Sequence, residues 1–327
     1  MKGRLEHELT MENKIKELIE YSPSYMKNYY QTILNKSYTT QNTYIRYVID
    51  FLDFIDNEYG IDIRDANNLG QIKTSMVSSY IYGLKTKSAV KAARLYGIKS
   101  FFKYLINDDY ITSNPCDNVT PPKDRKEHKI TYLTKEEIDI VKNNILTGCG
   151  SDYAKIRQQK WTNRDYAIVM LGLSLGLRVA SLTEINLQDI DFDHMEIEIT
   201  EKGNKTRKIC FGNKIKEVII EWLKDRDEML EEKGVETDAL FISCQMTRMT
   251  SRSISRLVEK YTYNIDKHIT PHKLRSTCAT NFYNNTKDIY QTADVLGHSN
   301  ISNTRKYVQI DQSRKREAAK TMDNILF

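Results

Sequence analysis

Apolar residues recur three and four positions apart over much of the chain, and glycine, proline or short polar runs separate the stretches in which they do so. That spacing is the mark of amphipathic helices. Ile15, Leu18 and Ile19 support one or two helical turns, Pro23 interrupts, and a helix is expected to start with Pro23 at its first position, where proline is well tolerated. Tyr44, Val48, Phe51 and Ile55 follow at helical spacing behind Thr39 or Thr40, either of which suits an N-cap, until Gly60 stops the pattern. Helices are expected again over 74–84 and 88–107. In the latter, Ala92, Leu95, Tyr96, Ile98, Phe102 and Leu105 form an apolar stripe among Lys87, Lys91, Arg94, Lys99 and Lys103. Such a face suits a helix that packs inward and presents cations to phosphates, and it suits equally a solvated basic surface on a core helix. No strand pattern occurs before residue 130, so residues 1–113 read as a small helical bundle.

Pro115, Pro121 and Pro122, three of the five prolines, fall with the charged run 123–129 in a stretch without periodicity, which reads as an extended linker over 114–130. Thr134 followed by Glu137 forms a capping box that opens a second region, 131–327. Residues 165–175 form an apolar helix that ends at Gly176, leaving Arg178 at the break. Residues 191–200 and 206–211 alternate apolar and polar positions around Lys202, Gly203 and Asn204, as a β-hairpin does. Amphipathic helices are expected over 214–233 and 251–267, and the basic tail 313–320 has helix-forming composition. The fold class is mainly α with a small β-sheet (α+β).

Composition narrows this picture only a little. A chain of 327 residues accommodates two domains. A net charge of +5 leans basic without demanding a nucleic acid. The five cysteines are scattered, with no CxxC pair and no histidine at metal-ligand spacing, as expected of reduced thiols. No apolar run approaches 18 residues, and Glu6, Glu8 and Glu12 make the amino terminus unlike a signal peptide. A cytoplasmic protein with no membrane segment is expected. The glycine patterns that cradle nucleotides are absent, so neither metal nor cofactor is called for.

The chemistry concentrates between Thr270 and Tyr307. His272 and Arg275 would share one helical face. Gly297 would end the next helix and leave His298 at a turn, and a short helix from about 299 or 300 would carry Tyr307 back to the same cleft. These residue types suit attack on a phosphodiester. Two arginines, Arg178 and Arg275, grip non-bridging oxygens in forked pairs as their charge grows. A tyrosine serves as nucleophile, a histidine accepts its proton or donates to a phosphate oxygen, and a lysine on the hairpin can protonate the leaving oxygen. Lys202, Lys205 and Lys208 compete for that last role. Taken singly, an arginine is usually surface charge, a histidine usually structural, and among 21 tyrosines one near a histidine is expected by chance. The ordered set is what carries the reading.

That set resembles the catalytic domain of the tyrosine recombinases, the integrase and Xer-like family. The family's arginine, lysine, histidine, arginine, histidine or tryptophan, and tyrosine occur in order as Arg178, Lys202, His272, Arg275, His298 and Tyr307. The resemblance implies a SAM-like helical core-binding domain over 1–113 and an integrase catalytic domain over 131–327, closing as a C-shaped clamp on double-stranded DNA. It implies site-specific recombination through a 3′-phosphotyrosyl intermediate without ATP, Lys202 as proton donor, and a homotetramer on paired sites. The chain departs from the family pattern at Ser181, where an acidic residue is usual, and after Arg275, where the family often continues His-Thr-Phe and this chain has Ser276-Thr277-Cys278, read as a packing change. Rival readings are a monomeric type IB topoisomerase-like enzyme that nicks and reseals, and a DNA-binding accessory factor without catalysis.

Overall fold

The computed structural model describes residues 2–122, 130–201, 205–298, 300–305, 307 and 321–323. The chain forms two compact units, Met1–His128 and Lys129–Phe327.

The first unit holds α1 (Lys2–Glu20), α2 (Ser24–Thr32), α3 (Tyr38–Tyr59), α4 (Thr74–Gly83) and α5 (Ser88–Asn107). Pro23 is the cap of α2 rather than its first helical residue. The N-cap of α3 is Ser37, whose Oγ accepts from the Thr40 amide at 3.4 Å, so the two threonines lie inside the helix. α1 runs far beyond the expected turns; of its described side chains only Ile15 and Ile19 are buried, too sparse an apolar stripe to reveal its length. The core is aromatic, with Tyr29 edge-on to Phe101 at 5.3 Å and Phe51 edge-on to Tyr80 at 5.3 Å. Cys116 and Val119 join this core, so the chain just after Pro115 packs instead of running free.

The cations of α5 divide into two kinds. Arg94 donates to Asp50 at 2.7 Å and to the Tyr80 hydroxyl at 2.6 Å, Lys99 pairs with Asp117 at 2.8 Å, and Lys91 donates to Tyr82 O at 2.9 Å. Lys87 and Lys103 are exposed.

The second unit is built round α8 (Thr162–Leu175), against which α6 (Lys135–Thr147), α10 (Asn213–Lys233), α11 (Ser251–Tyr261) and α12 (Pro271–Thr286) pack. α8 buries side chains on every face, as a helix enclosed on all sides must. Asp165, 1% exposed, is tolerated there because Arg164 donates to it at 2.7 Å, Tyr261 at 2.7 Å and Lys260 at 3.4 Å. The capping box of α6 is formed as expected from Thr134 and Glu137. α7 (Asp152–Gln159) was not legible in the pattern because it buries no side chain.

α9 (Val179–Glu184) leads to an antiparallel sheet of β1 (Ile190–Asp191), β2 (Glu196–Glu201) and β3 (Lys205–Cys210), in that order. The alternation over 191–200 is broken by a turn in which Asp191 accepts from the amides of Asp193 and His194, and Met195 takes φ +53°. What read as one strand is therefore two. α11 stops at Tyr261, well short of 267, where the Thr262 hydroxyl takes the Val258 carbonyl. α13 (Ile289–Leu296) and α14 (Ser302–Arg305) complete the unit. The tail 313–320 lies outside the described residues. Among the described residues no helix is long and apolar enough to cross a membrane, and no group of three or more His, Cys, Asp or Glu is placed to hold a metal ion. The architecture is mostly helical with one small sheet.

Candidate active site

Two helix ends meet at one buried side chain. Arg275, on the second turn of α12 and 2% exposed, donates from Nη1 to Gly176 O and from Nη2 to Leu296 O, both at 2.5 Å. Gly176 follows the last residue of α8, and Leu296 is the last residue of α13. A cation at two helix C-termini meets the negative ends of both dipoles and the carbonyls that helix ends leave unsatisfied. Two positions beyond Gly176 and Leu296 stand Arg178, the N-cap residue of α9, and His298. One guanidinium thus brings together the segments carrying Arg178 and His298.

α12 is placed to do this by its own sequence. Pro271 occupies its first position, where a missing N–H costs nothing. His272, one turn before Arg275, is exposed. Thr277, fully buried, donates to Lys273 O at 2.8 Å and accepts from the Leu133 amide at 2.9 Å, tying α12 to the start of the unit. Cys278 packs under the α8 terminus and donates to Ser174 O at 3.4 Å; burial pushes its thiol up to about 11, so it stays neutral. The departures at Ser276, which is 2% exposed and donates to His272 O at 3.0 Å, and at Cys278 are packing and fastening groups.

The C-terminus of α13 is fully accounted for. The His298 amide bonds Ala293 O at 2.9 Å and the Gly297 amide bonds Asp294 O at 2.8 Å, a Schellman motif round Gly297 at φ +63°. The remaining two carbonyls go to arginines from other elements: Leu296 O to Arg275, and Val295 O to Arg207 Nη1 of β3 at 3.2 Å. His298 is thereby held from three directions. Its Nδ1 lies 2.8 Å from the hydroxyl of buried Thr304 on α14, and its ring lies parallel to that of Tyr307, at 7° and 6.4 Å between centroids.

Tyr307 is 2% exposed, in a small buried cluster with Ala279 and Leu296. α14 begins at Ser302 rather than near 299 or 300, and Tyr307 follows it by two residues. Lys202 lies outside the described residues, as do Gly203 and Asn204. The strands on either side are described: Ile197 faces Ile209 and Ile199 faces Arg207 across the pair. Lys208, on the outer side, pairs with Glu196 at 3.0 Å. Ser181, 3% exposed, donates to Thr200 O at 3.4 Å, so the residue standing where the family pattern has a carboxylate fastens α9 to β2.

Arg207 and Thr304 escaped the sequence reading. Arg207 carried the one usable signal, a charge at the inward position of an alternating strand whose next inward residues are Ile209 and Phe211, both buried.

A Cβ at Gly297 would lie 2.6 Å from Arg207 Nε and 2.8 Å from its Cζ, in addition to a backbone in the left-handed region. Gly234 has nearly the same φ, +61°, with open space round it. Gly297→Ala is therefore expected to lower unfolding free energy by about 2–3 kcal/mol against about 1 kcal/mol for Gly234→Ala. Urea midpoints of the two variants check this; equal losses would mean that Arg207 yields freely.

The family model described as phage integrase family matches residues 133–314. The tyrosine recombinase XerC of Caldanaerobacter subterraneus subsp. tengcongensis is 30% identical over 326 residues, covering 92% of this chain and 87% of that protein. That of Vibrio vulnificus is 32% identical over 231 residues, covering 70% and 68%. Among solved structures, the XerH site-specific recombinase bound to a palindromic difH substrate superposes with a TM-score of 0.69 at 21% identity, covering 90% of this chain and 83% of that one. The chain belongs to the phage integrase family. It is a tyrosine-type site-specific DNA recombinase.

Proposed function

We propose that Tyr307 attacks one phosphodiester at a recombination site in double-stranded DNA. Its phenolic oxygen bonds to phosphorus, the P–O5′ bond breaks, and a 3′-phosphotyrosyl linkage forms. His272 takes the phenol proton and Lys202 gives a proton to the departing O5′. Arg178 and Arg275 hold the non-bridging oxygens, and His298 donates to one of them. A guanidinium has five N–H donors, so Arg275 can serve carbonyls and a phosphate together. The 5′ hydroxyl of a second strand then attacks the phosphotyrosine, and the bond energy kept in that linkage lets the exchange run without ATP.

The observation that carries this reading is the pair of hydrogen bonds that Arg275 donates to Gly176 O and Leu296 O, which joins the segments of Arg178 and His298, with Tyr307 stacked on the latter. Because the Tyr307 ring is buried, it leaves that stack when DNA is engaged. Residues 1–113 serve as the helical DNA-binding domain, with Lys87 and Lys103 facing phosphates and 114–130 as linker; 131–327 form the catalytic domain. Four protomers act on two sites, in the cytoplasm.

Nicked suicide DNA carrying candidate sites tests this. Loss of the short fragment beyond the nick traps the enzyme, so a denaturation-stable protein–DNA adduct is expected. Plasmids with paired sites should then yield exchanged joints. Relaxation without exchange would point to a topoisomerase-like enzyme, and no adduct at all to a binding factor.

A further inference from the structure

We propose that Arg207 is a positioning residue for DNA cleavage, holding the β2–β3 hairpin against the turn that carries His298. This rests on the reading above. Three observations converge on it. Arg207 Nη1 donates to Val295 O at 3.2 Å, one of the last two carbonyls of α13, while Arg275 takes the other. Its guanidinium lies so close over Gly297 that a single added carbon would sit 2.6 Å from Nε. Its backbone pairs with Ile199 in β2, so the fastening acts on both strands.

The consequence lies in what those strands connect. Residues 202–204 join β2 to β3, and Lys202 is the first of them. A two-stranded ribbon without support is marginally stable and bends easily. Here the ribbon is anchored on one edge by β1, at Thr200 O by Ser181, and at Arg207 by the α13 terminus. Of these only Arg207 joins it directly to the segment 295–298. A proton donor must be within hydrogen-bond reach of the leaving oxygen, and a displacement of about 1 Å costs about 100-fold in rate. Arg207 is half-buried, with its Nε and Nη2 shielded from solvent beside Gly297, so its role is to act through the hairpin, not on phosphate.

A leaving group that needs no proton isolates this role. Single-turnover cleavage is measured for the full chain, Arg207→Ala and Arg207→Lys on suicide DNA with an ordinary scissile phosphate and on the same DNA with sulfur replacing the bridging 5′ oxygen. Thiolate departs without protonation. Arg207→Ala is expected to slow the ordinary substrate about 100-fold, and the sulfur substrate by less than about threefold. Arg207→Lys, which keeps one donor for Val295 O, should fall between Arg207→Ala and the unaltered protein on the ordinary substrate. Wild-type rates on the ordinary substrate, or equal losses on both substrates in both variants, would overturn the proposal. Should the unaltered protein form no adduct with either DNA, the recombinase chemistry itself fails, a result distinct from a failure at Arg207.

Discussion

Replacing Tyr307 with phenylalanine is expected to abolish the covalent adduct entirely while leaving the fold nearly intact. The substitution removes one oxygen and no carbon. The ring of residue 307 remains 6.4 Å from that of His298 and stays within the cluster of Ala279 and Leu296. Loss of the hydroxyl alters stability by about 1 kcal/mol at most, the ordinary contribution of one neutral hydrogen bond. Reactivity behaves differently, because without the phenolic oxygen no phosphorus–oxygen bond to the protein can form. DNA binding, carried by phosphate contacts elsewhere, should change less than about twofold. Gel analysis under denaturing conditions reads the adduct, and a mobility-shift titration at fixed salt reads binding. An adduct surviving in Tyr307→Phe would move the nucleophile to another of the 21 tyrosines.

The second large effect is at Arg275, and there the fold and the chemistry fail together. Arg275→Ala leaves Gly176 O and Leu296 O without their charged donor and opens a void where a side chain that is 2% exposed had been. Losing charged hydrogen bonds in a buried setting costs about 3–5 kcal/mol. Arg275→Lys should recover part of that stability, since an ammonium reaches one carbonyl but cannot fork between two. Cleavage in single turnover should fall at least about 1000-fold in Arg275→Lys, because transition-state charge loses its planar partner and the segments of Arg178 and His298 lose their common tie. Urea unfolding and single-turnover rates measured together decide it. A lysine variant that is stable yet fully active would show that Arg275 is only a brace.

In the mechanism proposed above, Arg275 meets a structural and a chemical demand with one side chain. Two helix C-termini that converge need a cation, and a phosphate needs one as well. Placing the same guanidinium at both sets its orientation before any substrate arrives, which lowers the cost of organising the site. Gly176 permits that convergence: a Cβ there would lie 2.8 Å from Leu296 Cδ2 and 3.2 Å from Cys278 Sγ.

The sequence by itself determined the helical character of the first unit, the hairpin in the second, the capping box at Thr134, and the ordered set of arginines, histidines and tyrosine, because helical periodicity, strand alternation and cap chemistry are local and each leaves its mark within a few residues. It was silent on α7, which buries nothing and so has no stripe, and it misplaced the start of α3, where Ser37 outcompeted the two threonines as cap. Tertiary structure alone decided that Arg275 spans two helix ends, that Ser181 fastens α9 to β2, and that Arg207 closes the last open carbonyl but one of α13. Each of those is a hydrogen bond between groups 19 to 99 positions apart, made because a buried carbonyl or guanidinium must find a partner wherever the packing brings one, and no local pattern encodes where that will be.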